Sequence, residues 1–182
     1  PTALLLNLVP RLTKNLARQT SLKTVQTRFS HYTLLKELVT VLKGGPETAY
    51  ILFVPSIHQS LSTASHTDHH HLGTNSNLKI EALGFLRSLF RRHSSEVLQK
   101  HLGQLCAPVI TAIQDEFYKI FSEALVCRIE LFKSSCHMDF DGPEAETCVL
   151  QIHNVILQRV STANADPEVK ERRICRFGVL LS

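Results

Sequence analysis

A short word recurs along this chain and limits what it can fold into. An apolar residue followed by lysine lies near the start of four apolar segments of helical period: Leu22-Lys23, Leu78-Lys79, Tyr118-Lys119 and Val169-Lys170. The intervals between the lysines are 56, 40 and 51 residues. Repeats of the HEAT type, each a pair of antiparallel helices A and B, run roughly 40–47 residues, so one interval fits and two are long. Both long intervals hold a polar insertion: Ser62 to Asn75 with its histidines, and Ser134 to Glu146 with Asp139, Asp141 and Gly142-Pro143.

Between these segments a second set shares a proline: Val9-Pro10-Arg11-Leu12, Val54-Pro55-Ser56-Ile57 and Ala107-Pro108-Val109-Ile110. Proline inside a helix costs about 3 kcal/mol, so three at matching places predict a built-in first turn or kink of the B helices. The fourth such segment, Val149 to Val160, lacks it.

The apolar spacing predicts helices throughout. Over Glu116 to Lys133, Phe117, Ile120, Ala124, Cys127 and Leu131 form one stripe, and Phe121, Leu125, Ile129 and Phe132 form another beside it. One stripe suits a surface helix, whereas two suit a helix covered on more than one side, as in a stack. Leu78 to Arg92 has Leu78, Ala82, Leu86, Leu89 and Phe90 apolar, with Lys79, Glu81, Arg87 and Arg91 on its polar face. Leu8, Leu12 and Leu16 mark the first helix, and Asp166-Pro167 reads as an N-cap and first helical position opening the last.

The expected fold is therefore all-α, an α-α superhelix of HEAT/ARM-type hairpins. Residues 1–20 are read as the B helix of a truncated repeat, and 21–75 as a repeat with the His-rich insertion. Residues 76–115 form a repeat, 116–165 a repeat with the acidic insertion, and 166–182 the A helix of a further truncated repeat. The A helices are expected to start near residues 22, 77, 116 and 167. Half-repeats at both ends, without the polar capping repeats that close such arrays, read as the interior of a longer solenoid.

Composition narrows the function classes. With 43% apolar and 20% charged residues, the chain has the means to bury a core and is not of the disordered type. No apolar run reaches the ~20 residues a membrane helix needs. Five cysteines, an odd number with no C-x-x-C pair, do not make a zinc knuckle or a secreted disulfide framework. They read as reduced thiols of a cytoplasmic or nuclear protein. The net charge of +4 is mild but uneven, since residues 1–43 hold seven basic side chains and one acid, Glu37. Arg11, Lys14 and Arg18, at i, i+3 and i+7, share one helix face and are the candidate contact for an acidic partner. Lys170, Arg172, Arg173 and Arg176 form a second basic cluster. No aromatic residues interleave with either cluster as stacking platforms, which argues against nucleic acid.

Catalytic motifs for nucleotide binding or acyl transfer are absent, and no catalytic residue, cofactor site or metal site is assigned. His66-Thr67-Asp68-His69-His70-His71 is the one constellation that suggests a metal, but it lacks the i, i+4 spacing of helical zinc motifs and reads as a solvated loop. Cys136 and His137 are adjacent within an insertion, where a preorganised nucleophile–base pair is not expected.

Two longer words carry a family resemblance. Ser76-Asn77-Leu78-Lys79-Ile80-Glu81-Ala82-Leu83 and Phe117-Tyr118-Lys119-Ile120-Phe121-Ser122-Glu123-Ala124-Leu125 resemble the middle repeats of the cullin-associated and neddylation-dissociated family. Asp166 to Glu171 looks like the opening of that family's next repeat, and Ser21 to Val25 and Leu34 to Val39 resemble the repeat before. The resemblance implies a large HEAT solenoid that wraps unmodified cullin–RING ligase cores and exchanges their substrate-receptor modules. A different HEAT scaffold, of the transport-receptor or phosphatase-subunit type, is the first alternative. A metal-dependent protein built on residues 66–71 is the second.

Overall fold

The computed structural model describes residues 7, 8, 11, 30–37, 54, 57–62, 72–92, 95–135 and 143–161. Among them the regular structure is entirely α-helical, with no strand. Five helices are complete enough to label: α1 (Leu72–Arg92), α2 (Ser95–Gln99), α3 (Leu102–Ile113), α4 (Tyr118–Ser135) and α5 (Pro143–Ser161). Residues 30–37 and 57–62 form two further helical segments.

Successive A helices lie side by side, and so do successive B helices. α1 packs along α4, and the pairs Arg87–Glu123 and Arg91–Glu130 ascend both helices together, so the two run parallel. α3 packs along α5 in the same sense, through Cys106–Cys148 and Arg159–Gln114. α3 also packs against α4, which follows it after a short turn. The helical segments 30–37 and 57–62 continue the A and B layers on the other side of α1 and α3. This is a stack of helical hairpins, an α-α superhelix.

The core runs through this stack as one cluster, from Tyr32 and Ile57 through Leu83, Phe85 and Phe90 to Val109, Ile120, Ala124 and Ile152. Burying each large aliphatic or aromatic side chain contributes roughly 1.5–3 kcal/mol. Tyr32 is fully buried, and its hydroxyl is satisfied by Ser60 Oγ at 2.9 Å, which ties the A and B segments of one hairpin. Its ring meets Phe85 of the next A helix at 6.0 Å between centroids.

The double stripe on α4 resolves into two unlike faces. Ile120, Ala124, Cys127 and Leu131 are buried, while in the second stripe Phe121 is buried and Leu125, Ile129 and Phe132 are half-buried. Phe117, counted with the first stripe, precedes the helix and is 38% exposed.

Some expectations need correction. α1 begins at Leu72, ahead of the expected start near 77, so the end of the 62–75 insertion is helical. The start expected near 116 does agree, with α4 beginning at Tyr118 after Asp115 and Phe117 form the turn that opens it. Pro108 lies well inside α3 and is buried, so the first-turn reading of the proline fails there. The expected start near 22, Pro10, Pro55, Asp166-Pro167 and the whole 166–182 segment lie outside the described residues.

Candidate functional site

The sites chosen from sequence fall mostly outside the described residues. Arg11 is helical and exposed; Lys14 and Arg18, the other members of its stripe, lie outside them. So do the histidine run 66–71, Cys136, His137 and the basic cluster 170–176. Among the described residues no group of three or more His, Cys, Asp or Glu side chains is placed to hold a metal. No described helix is long and apolar enough to cross a membrane.

What the structure brings together instead is a set of joints between repeats. The recurrent lysine is the first. Lys79, expected on a polar face, is 3% exposed, and its ammonium donates to Asp115 Oδ2 at 2.6 Å, with both side chains buried. The other carboxylate oxygen, Oδ1, accepts the Phe117 backbone N–H at 3.0 Å. One carboxylate thus opens α4 and clamps α1 to it. Its geometry explains why lysine tolerates that depth: a buried charge persists only when paired and hydrogen-bonded. Sequence periodicity missed this because a helix in a stack has a neighbour on what would otherwise be its wet side.

Lighter ion pairs extend the same seam. Lys36 reaches both oxygens of Glu81 at 2.7 and 2.8 Å, and Thr33 donates to that carboxylate at 3.1 Å. Arg87–Glu123 at 3.4 Å and Arg91–Glu130 at 3.2 Å complete it. Cys127 sits beneath this seam. Burial pushes its thiol far above the ordinary range; nearby Arg87 pulls it down, and Glu123 and Glu130 add to the rise. It is a free, sealed thiol and not a nucleophile.

The second kind of joint is covalent. Cys106 of α3 and Cys148 of α5 form a disulfide, with their Cα atoms 6.2 Å apart, within the usual range for such bridges. This corrects the expectation of reduced thiols throughout. The sequence separation of 42 hides a proximity that only the stacking of successive B helices creates. A groove of about 550 Å³, lined by Lys100, His101, Gln104, Thr147 and Gln151, lies over the bridge. On the same layer Thr111 and His58 Nε2 lie 3.5 Å apart, and Arg159 donates to the Gln114 carbonyl at 3.3 Å.

Two other features are exposed or half-exposed. Leu150 and Leu157, at i and i+7 on α5, are 52% and 44% exposed. Arg128, on the second stripe of α4, packs its guanidinium over the Phe132 ring at 4.9 Å, and burial lowers its pKa.

Parallel helix layers joined repeat to repeat and a core shared between neighbours define a helical-repeat solenoid. A family model described as "CAND1-like, TPR repeats" matches residues 3–177, and the chain belongs to that family. TPR, like HEAT, denotes a stack of helical hairpins. Among curated relatives, the chain is 34% identical over 189 residues to Cullin-associated NEDD8-dissociated protein 1 of Drosophila melanogaster, a match covering 100% of this chain and 14% of that protein. The protein of the same name in Arabidopsis thaliana is 33% identical over 186 residues, with the same two coverages. Cullin-associated NEDD8-dissociated protein 2 of Mus musculus is 32% identical over 174 residues, covering 95% of this chain and 13% of its own length. The chain therefore spans about a seventh of the length of these relatives.

Proposed function

We propose that this chain acts as a stretch of a cullin-binding scaffold that regulates cullin–RING ubiquitin ligases, binding the cullin with its RING subunit and serving the exchange of substrate-receptor modules. The observation that carries this reading is the family match over 3–177, supported by relatives whose names describe cullin association and dissociation from NEDD8. On this reading the chain binds and does not catalyse, takes no cofactor, contacts neither nucleic acid nor membrane, and works in the cytoplasm and nucleus.

Specific protein interfaces bury about 1,600 Å² in total, and an extended partner is gripped by many repeats at once. The experiment is to pass the longer protein containing this chain over an immobilised cullin–RING core, with and without NEDD8 on the cullin. Retention by the unmodified core and loss of retention on the modified one is expected. Retention on neither would remove the cullin reading and leave only the scaffold, whereas equal retention on both would keep cullin binding and remove its dependence on NEDD8. A second comparison tests the proposed contact at Arg11, Lys14 and Arg18. Replacing all three by Glu should slow association, most clearly at low salt, if they meet acidic cullin surface. Equal on-rates at two ionic strengths would reduce the stripe to a solvated face.

A further inference from the structure

The cysteine pair lies at a place where chemistry can change the relation between two repeats. Cys106 and Cys148 are the only described residues that join one B helix to the next by a covalent bond. The opposite seam, between A helices, is held by ion pairs and packing. Although the two sulfurs belong to buried residues, the groove over them is open to solvent. Gly103 contributes to that opening: it lies one turn before Cys106, lines the groove, and an added Cβ there would meet nothing within 4 Å. Cys127 offers the contrast of a buried thiol with no bridge.

We propose that Cys106 and Cys148 form a reversible thiol–disulfide couple, reached through the groove by small thiols of the glutathione class, which locks or frees the B helices of two successive repeats. In the reducing direction a small thiolate attacks one sulfur from the groove. The protein S–S bond breaks, the other cysteine leaves as a thiolate and takes a proton from water, and a mixed disulfide remains. A second small thiolate attacks the small-molecule sulfur of that mixed disulfide, releasing the protein thiolate, which is protonated, and a small disulfide. Two electrons pass from two small thiols to the protein, and oxidation by the small disulfide is the reverse. Because the curvature of a solenoid is set by the small rotation from each repeat to the next, a bond present on one layer only constrains that rotation, and its cleavage relaxes it.

The test equilibrates the intact protein in buffers of graded oxidised-to-reduced glutathione ratio, quenches with an alkylating reagent and maps the cysteines by mass spectrometry. A cross-linked peptide pair containing Cys106 and Cys148, whose abundance follows the ratio, is expected. Hydrogen exchange over 143–161 should be roughly tenfold slower in the oxidised form, and insensitive to the buffer in Cys106→Ser. Gly103→Leu, which fills the approach, should slow the exchange reaction with little change in the final oxidised fraction. Two cysteines alkylated at every ratio, or bridges made instead to Cys127, Cys136 or Cys175, would overturn the proposal. A reduction rate unchanged in Gly103→Leu would overturn the groove as the route.

Discussion

The A layer and the B layer of this array stack in the same parallel fashion but are joined by different chemistry. Between α1 and α4 the joint is a graded set of ion pairs, from the buried Lys79–Asp115 clamp to the Arg91–Glu130 contact, whose arginine is 62% exposed. Between α3 and α5 it is a disulfide with two polar supports nearby on the layer. Ion pairs allow small sliding and respond to salt when exposed, whereas a covalent bridge allows neither. At this one junction the A side is thus adjustable, and the B side is fixed for as long as its disulfide stands.

The largest effect is expected where that contrast is sharpest within the A layer. Replacing Lys79 by Ala leaves the Asp115 carboxylate buried without its counter-charge, a loss of about 3–5 kcal/mol. Pairing Lys79→Met with Asp115→Leu should recover most of it, since well-packed apolar pairs often replace buried ion pairs with little loss. Urea denaturation of the single and double variants measures both. A single variant as stable as wild type would show that the clamp is a surface pair after all.

Next in size is the B layer. Closing a loop of this length stabilises a fold by about 4 kcal/mol in the chain-entropy description, with roughly 2–4 kcal/mol typical in practice. Cys148→Ser compared with the oxidised protein should therefore shift the denaturation midpoint by a similar amount to the Lys79 change. Once the protein is reduced, the difference should largely vanish.

A smaller, pH-dependent effect belongs to Cys127. Its thiol is held neutral by burial in the folded chain, while in the unfolded chain it ionises near its ordinary value of about 8.5. Above that pH the unfolded state gives up a proton that the folded state keeps. Stability falls by about 1.4 kcal/mol per pH unit from this group alone. Cys127→Ala should lower stability at neutral pH by leaving a small void, yet flatten the alkaline slope. Parallel slopes in the two proteins would mean that other groups govern the alkaline limb. The smallest effect is expected at the outer end of the seam, where Arg91→Ala should change stability by less than about 1 kcal/mol.

How far the sequence is legible differs in the same way between stripe and joint. The helices over 78–92, 117–133 and 149–160 can be read from apolar spacing because burial imposes a 3.6-residue period whatever the neighbours are. The joints cannot. Lys79 has the spacing of a solvent-facing residue, and only the neighbouring A helix, bringing Asp115, turns that position inward. Cys106 and Cys148 carry no local signal, because their pairing follows from the lateral offset between two helices. Pro108 shows the same limit, since spacing reads it as a first turn or a kink without deciding between them. The family resemblance reached further than spacing, because it draws on longer words such as 117–125. Yet it located no joint either.

The hydroxyl of Ser134 donates at 2.6 Å to the carbonyl of Phe90, in the final turn of α1, while also lying 2.8 Å from the Glu130 carbonyl. Carbonyls at a helix end have no acceptor role within their own helix, so α1 is finished by a side chain from the next A helix, 44 residues later. Arg159 closes the end of α3 in the same manner, through Gln114. During synthesis, at about 5–20 residues per second, the end of α1 waits roughly 2–9 s for Ser134 to be made. The hairpin of α1 and α3 therefore leaves the ribosome incomplete and is sealed by its successor, which gives this part of the assembly a direction from the N-terminus onward.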